Sequence, residues 1–565
     1  MSGGLSRWAW GSRVVHALYQ GMPMVAVHRA LSTVGIRGTI GRELQDFARL
    51  DGLSSVVPRD EGQGPRVLFV IPRNFRTHAT FQAGLALALT LRGGRCAIAT
   101  CGGIMPVCEV TWAERETFPR CARCTAYVTD LCELLRIPLY RLADFRNVEE
   151  DAKLKDELVA LGVEGLKKFV WKGLAIGPFA IPPTRWRLRS HHIADHQDGP
   201  SVLSGFIRGG MQWAVAVERV IDEFRPDVVL MLNGLFMEER ITWAVAQRKG
   251  CRCVFFERGR DAGTVFLSHE VSAPRYDITG SWTSVKDTPL TDGQRTTIMN
   301  VMERRFRGER MVETYWSAKE SRERNIAEHL SLGDERRPLA VLFTNVGWDT
   351  AMQDRDVAFD GMMDWLGEVL AIFSRHPDWQ LVIRVHPAET QVPGRESFDR
   401  VTDWVNRQDG TLSKNVRVVQ PEEPIDSYAL MNMATVGCVY ASTVGLEMAV
   451  KGTPVIVAGA AHYGGKGFTY DISSRRDFEA TLVSLMNKER AIPRERQIEL
   501  ALRYAYLFFL RRTLPMAVLR EPKEARPRLA FNHLDELRPG RHLALDIMCD
   551  GILKRTEFEL PLASC

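Results

Sequence analysis

No run of eighteen apolar residues occurs in the chain, so the sequence offers no transmembrane helix of ordinary length. No signal peptide is expected either, because Gly21, Pro23 and His28 interrupt any apolar core near the start. Eleven cysteines among 565 residues are too few for a disulfide scaffold and point to a reducing cytoplasm. The net charge is only +5, which gives no bulk electrostatic case for nucleic-acid binding. Solenoid repeats and low-complexity tracts are missing as well. The turn from Pro72 to Thr77, after the first convincing strand, lacks the GxGxxG of dinucleotide dehydrogenases. No Asp-x-Asp pair stands at a strand end, so no metal or cofactor is required.

What is present is alternation of short β-branched runs with helical stretches. Val67–Ile71, a helix from about His78 to Leu91, and Arg95–Thr100 form a β-α-β unit. Asp227–Leu232 reads as a buried strand ending in Asn233-Gly234. A helix from Phe236 to Lys249 follows, then a strand from Arg252 to Phe256 with Glu257-Arg258-Gly259 at its carboxyl end. Leu339–Thr344 opens a second α/β unit, with Asn345 to Asp349 at its strand end. The expected fold class is α/β, with two doubly wound domains and helical additions.

Residues 384–471 carry the most chemistry. Arg384 and His386 alternate along a strand that Pro387 stops, so both can point to one face. A second strand ends at Gln420-Pro421. Val436–Tyr440 then leads through Ala441-Ser442-Thr443 into a helix over Val444–Lys451, closed by Gly452 and Pro454. Ser442 or Thr443 caps that helix, and its free N–H groups suit an anion. Glu447 follows Thr443 at i+4, where a carboxylate can take vicinal hydroxyls such as those of a ribose. Gly445 leaves room for a ligand near the backbone. Gly459 to Gly467 makes a cationic lip containing Lys466. By contrast, His376-Pro377 follows a helical stretch and reads as a plain helix exit.

Arg384-Val-His386-Pro387, Gln420-Pro421, Ser442-Thr443-Val-Gly445-Leu-Glu447 and Gly452-Thr-Pro454 together resemble the donor half of bacterial capsule-polysaccharide glycosyltransferases, the capsule Kdo transferases above all. Bacterial sialyltransferases share the HP and Ser/Thr motifs more distantly. The resemblance covers the C-terminal half well and the N-terminal half thinly. It implies a GT-B fold, two Rossmann-like domains facing a cleft, in which His386, Ser442 and Thr443 hold the phosphate of a nucleotide sugar. Arg384, Gln420, Gly445, Glu447 and Lys466 complete the expected donor site. That family carries an acidic pair before glycine, one member acting as base; here Glu257 matches one acid and Arg258 replaces the other. Glu257 is therefore the candidate base, with Asp261 and Glu270 as substitutes, and a purely structural salt bridge is the competing reading. Arg258 or Arg260 can equally hold a phosphate or carboxylate.

These readings divide the chain into a basic amphipathic segment (1–58), an acceptor domain with a helical insertion (59–330), a donor domain (331–490) and a C-terminal helix and tail (491–565). The first segment has no acid before Glu43 and suits either an anionic membrane surface or packing on the body. In the acceptor domain, Arg73, Asn74 and His78 sit at a turn that can face a polysaccharide or glycolipid. Cys121 and Cys124 have zinc-knuckle spacing, but Cys101 and Cys108 are wider apart, and free thiols are the alternative. The aromatic helix over Pro493–Arg512 either crosses back to the first domain, as in GT-B proteins, or seats the protein at a membrane. Two other functions fit the same motifs: a sugar-nucleotide epimerase or polyol-phosphate transferase, and a non-catalytic nucleotide-binding scaffold of a polysaccharide assembly complex.

Overall fold

The computed structural model describes residues 42–50, 53, 64–109, 120–147, 157–158, 160–307, 326–332, 337–391, 396–408, 412–520 and 527–562. Nearly all of the basic segment 1–58 lies outside them, as do the charged cluster 149–156 and residues 308–325.

Two sheets organise the chain. In the first, β1 (Arg66–Ile71), β2 (Arg95–Thr100), β3 (Leu139–Arg141), β4 (Val228–Leu232) and β5 (Arg252–Arg258) run parallel in the order 3-2-1-4-5. β6 (Thr264–His269) returns antiparallel beside β5. In the second, β7 (Leu339–Phe343), β8 (Gln380–Arg384), β9 (Val416–Val419), β10 (Val436–Val439), β11 (Val455–Val457) and β12 (Tyr470–Asp471) are all parallel, in the order 9-8-7-10-11-12. Both sheets wind the same way, and in both the order reverses beside the first strand. Open sheets of this kind bind ligands in the crevice at the carboxyl ends of the strands flanking that reversal. Here those ends carry Arg73 and Asn233 in one domain, and Asn345 and Ser442 in the other.

The central strands β4 and β7 are buried throughout, which is why they read as unbroken apolar runs rather than alternating ones. Helices then cover both faces of each sheet. β3 and β6 are among the strands that escape sequence reasoning. β3 is three residues long at the sheet edge, too short to show a period, and lies in a stretch that reads as helical. β6 follows a tight turn in which Gly263 takes φ +74°.

The C-terminal segment ties the domains together. The Arg494–Tyr506 helix packs against the Val444–Val450 helix of the second domain and the Asp292–Phe306 helix. Residues Leu507–Arg512 then carry the chain across to β13 (Thr513–Pro515), which pairs antiparallel with β6 of the first sheet. Tyr504, Tyr506, Phe508 and Phe509 are all buried in this crossing, so they serve packing and not a membrane surface. The tail, for which the sequence suggests no role, completes the first domain. Its Leu543–Lys554 helix packs on the Arg76–Leu91 helix, and Arg92 pairs with Asp546 at 2.5 Å.

Arg305, at the end of the Asp292–Phe306 helix and 3% exposed, bridges the two domains. It pairs with Glu447 of the second domain at 2.9 Å. In the first domain it meets Asp261 at 3.3 Å and donates to the Arg260 carbonyl at 3.3 Å. Removing one member of a buried ion pair strands the other charge, at a cost of about 3–5 kcal/mol. Arg305→Ala should therefore lower the unfolding free energy by that order, seen as a lower urea midpoint, and adding Glu447→Gln should restore part of the loss. Equal midpoints for wild type and Arg305→Ala would show that the bridge does not hold the domains.

Candidate functional site

β8 delivers His386 to the edge of the cleft. Pro387 and Ala388 start a short 3-10 turn there, and the His386 ring caps it, Nδ1 accepting from the Ala388 N–H at 3.1 Å. An accepting Nδ1 places the proton on Nε2. Burial, reinforced by the charges of Arg384 and Arg260, holds the imidazole pKa down at about 3. His386 is therefore a neutral Nε2–H donor over the physiological range, not a cation.

Ser442 lies at the exit of β10. Its hydroxyl accepts from Val444 N–H at 3.3 Å, and its carbonyl accepts from the Tyr463 hydroxyl at 2.5 Å. Thr443 has helical backbone angles and makes no cap, so Ser442 alone closes the helix start. That helix spans only Val444–Val450, which limits what its dipole adds.

Five other expected donor residues are occupied differently. The Arg384 guanidinium turns to the loop after β9, donating to the Gln420 carbonyl at 2.5 Å. Gln420 in turn accepts from Thr402 at 2.9 Å through its side chain and donates its backbone N–H to Glu423, so it braces this loop. Glu447 is 2% exposed and bound by Arg305, so its carboxylate is not open to a diol. The space expected at Gly445 is filled: a Cβ there would lie 2.1 Å from the Tyr463 hydroxyl oxygen, so glycine serves packing. Lys466 reaches across the cleft, its ammonium donating to the Thr279 hydroxyl at 2.9 Å.

In the first domain, Glu257 lies near the end of β5, within electrostatic reach of Arg260. Asn233, at the end of β4, donates to one of its oxygens at 2.8 Å, and the Arg258 N–H donates to the other at 2.8 Å. Burial raises the Glu257 pKa against these hydrogen bonds and the charges of Arg260 and Arg258, which moves it toward the range a general base needs. Asn233 is the orienting residue that sequence reasoning passes over; its place at a strand end beside Glu257 was the available signal. The substitutes fare less well. Asp261 is paired to Arg305, and Glu270 lies beside Cys253 at the start of β5, at the opposite end of the strand from Glu257. Asp349, after β7, is within electrostatic reach of Arg260 and Arg355, and burial raises its pKa.

Arg73, expected at the acceptor surface, is 5% exposed and enclosed by carboxylates: Glu238 and Glu239 at 2.8 Å and Glu109 at 3.4 Å. It is a core ion-pair hub. His78 nearby is held at about 3, by burial and then by Arg258 and Arg73. Burial keeps the Cys101 and Cys124 thiols protonated, the latter pushed up to about 11. Among the described residues, no group of three or more His, Cys, Asp or Glu is placed to hold a metal ion. His376 does terminate a helix, stacking on Trp379 at 3.9 Å.

Fold and site define a two-domain α/β protein with a polar crevice between the strand ends of two doubly wound sheets. Residues 297–485 match the family model described as capsule polysaccharide biosynthesis protein. The match agrees with the resemblance carried by the motifs of residues 384–471. No curated protein matches the chain. Among solved structures, the β-Kdo 2,4-transferase KpsC of Thermosulfurimonas dismutans is 14% identical, covers 48% of this chain and 78% of its own, and has a TM-score of 0.32. The UDP-GlcNAc 2-epimerase of Neisseria meningitidis is 11% identical over 78% of this chain and 98% of its own, at 0.28. The calicheamicin glycosyltransferase CalG4 is 11% identical over 79% and 95%, at 0.26. At these scores they add nothing to what the two sheets show directly.

The turn after His386 holds a titratable group with a clear signature. Glu389 is buried, accepts from Val401 N–H at 3.2 Å, and is pushed up to about 8, chiefly by burial. A folded-state pKa above the unfolded value of about 4.3 means that the folded protein binds the extra proton. This contribution to stability is complete below pH 4 and fades as pH rises toward 8. Glu389→Gln should therefore gain on wild type between pH 5 and 8, at up to about 1.4 kcal/mol per pH unit, measured by urea unfolding across that range. Parallel pH profiles would contradict the assignment.

Proposed function

We propose that the protein is a glycosyltransferase that moves a sugar from a nucleotide-sugar donor to a bacterial surface polysaccharide or glycolipid, in capsule-type biosynthesis. The observation that carries this reading is that Glu257 at a strand end of one sheet and His386 at a strand end of the other both lie within electrostatic reach of one residue, Arg260, in a chain whose residues 297–485 match the capsule polysaccharide biosynthesis model. Arg260 reaches both sides electrostatically, since its charge acts on Glu257 and on His386 alike.

In this reading the His386 Nε2–H and the Ser442 hydroxyl donate to the phosphate oxygens of the donor and stabilise charge as the anomeric C–O bond breaks. Glu257, held by Asn233, takes the proton of the acceptor hydroxyl as that oxygen bonds to the sugar carbon. The nucleotide phosphate leaves with the electron pair. No residue of this scheme needs a metal.

The acceptor enters from the first domain, beside Glu257. No helix among the described residues is long and apolar enough to cross a membrane. The reading places the enzyme in the cytoplasm at the inner membrane face, with the basic residues before Glu43 meeting anionic lipid.

His386→Ala and Ser442→Ala should each weaken calorimetric binding of the cognate nucleotide among CMP, UDP and GDP by roughly tenfold, with unchanged thermal unfolding. Glu257→Gln should bind that nucleotide normally and lose roughly a hundredfold or more in sugar transfer. Full activity of Glu257→Gln would sink the base assignment. Nucleotide binding by wild type without turnover of any sugar conjugate would favour a non-catalytic scaffold.

A further inference from the structure

Arg260 sits at the tip of the reverse turn joining β5 to β6. The turn is tight: Gly259 N–H donates to the Thr264 carbonyl at 2.8 Å, a Cβ on Gly259 would lie 2.0 Å from the Thr264 hydroxyl, and Gly263 has φ +74°. Its backbone is also anchored from below, because Arg305 donates to the Arg260 carbonyl while gripping Glu447 of the second domain. A long cationic side chain is thus carried on a rigid base above the crevice.

The cations around it are already committed. Arg355 donates to the carbonyls of Ala351, Ala460 and Pro274 at 3.1, 2.7 and 2.7 Å. Arg384 donates to the Gln420 carbonyl, Lys466 to Thr279, and Arg305 to Glu447. Arg260 differs. Its side chain is exposed, and among the described residues it makes no hydrogen bond or ion pair; its guanidinium carbon lies 5.3 Å from the centroid of the Tyr276 ring. Its charge nevertheless acts on Glu257, Asp349, His386 and His462, which places it between the two halves of the site.

The chemistry of the crevice asks for such a group. His386 is neutral, and Ser442 carries no charge, so neither offsets a phosphate ester. A guanidinium with uncommitted donors is matched to a planar or tetrahedral oxyanion, which it can hold through two parallel N–H···O bonds. We propose that Arg260, delivered by the acceptor domain, binds an oxyanion of the activated donor and closes the phosphate site from the side opposite His386. This rests on the nucleotide-sugar reading above. The oxyanion has two sources, the nucleotide phosphate or a carboxylate on the transferred sugar.

The test is calorimetric binding of CMP, UDP, GDP, UDP-glucose, UDP-glucuronate and CMP-N-acetylneuraminate to wild type, Arg260→Ala and Arg260→Lys, with thermal unfolding as the check on fold. Arg260→Ala should lose roughly tenfold to a hundredfold in affinity, and Arg260→Lys less, since it keeps the charge without the fork. Loss with the bare nucleotide identifies the phosphate. Loss confined to a carboxylate-bearing conjugate, with its bare nucleotide unaffected, identifies the sugar. Affinities equal to wild type for every ligand bound would overturn the role of Arg260 and leave the glycosyltransferase reading standing. Failure of wild type to bind any of the six would remove that reading, and this inference with it.

Discussion

The bridge through Arg305 is the interaction on which the rest of the site depends. One buried guanidinium joins the turn after β5 to the helix after β10. Glu257 and Arg260 belong to the first, Ser442 to the second. Without a rigid link, groups contributed by separate domains would hold no fixed geometry, and catalytic constellations tolerate little misplacement. Further links surround this one. Arg240 and Arg275 pair with Asp354 across the domains at 2.8 and 3.1 Å, and the Asp399 carboxylate accepts from the backbone N–H groups of His191 and His192.

Enclosure by these links sets the electrostatics of the crevice. Taking the groups out of water raises the carboxyl pKa values of Glu257 and Asp349 and lowers the imidazole values of His386 and His462. The same burial therefore gives the first domain a more basic carboxylate and the second a neutral hydrogen-bond donor. Positive charge is left to Arg260. This division also gives the replacement of an expected acid by Arg258 a milder meaning. Glu257 is oriented by Asn233 and by the Arg258 backbone, and neither contact requires a second carboxylate.

Much of the fold was legible. In the second domain β8, β9 and β10 are short apolar runs stopped by Pro387, Pro421 and the Ser442-Thr443 pair, and they fell within a residue or two of where the structure has them. The order of polar groups at strand ends located the crevice. What the sequence did not disclose was which polar groups are committed to one another. Glu447 and Arg305 are 142 residues apart, and Gly445 is filled by a tyrosine eighteen positions later. Arg384 alternates with His386 in the strand, yet its length lets the guanidinium reach the Gln420 carbonyl instead of the crevice. Such pairings are decided by tertiary packing, and nothing local marks them. β3 and β6 were missed for a related reason: an edge strand of three residues and an antiparallel return are stabilised by the sheet they join, not by their own pattern.

The central claim is that the activated donor's phosphate sits between His386 and Ser442, facing Glu257. A crystal structure of the protein with its cognate nucleotide tests it most directly. The account predicts phosphate oxygens within hydrogen-bond distance of His386 Nε2 and the Ser442 hydroxyl, with Glu257 across the crevice. Nucleotide bound elsewhere, with His386 and Ser442 untouched, would contradict it.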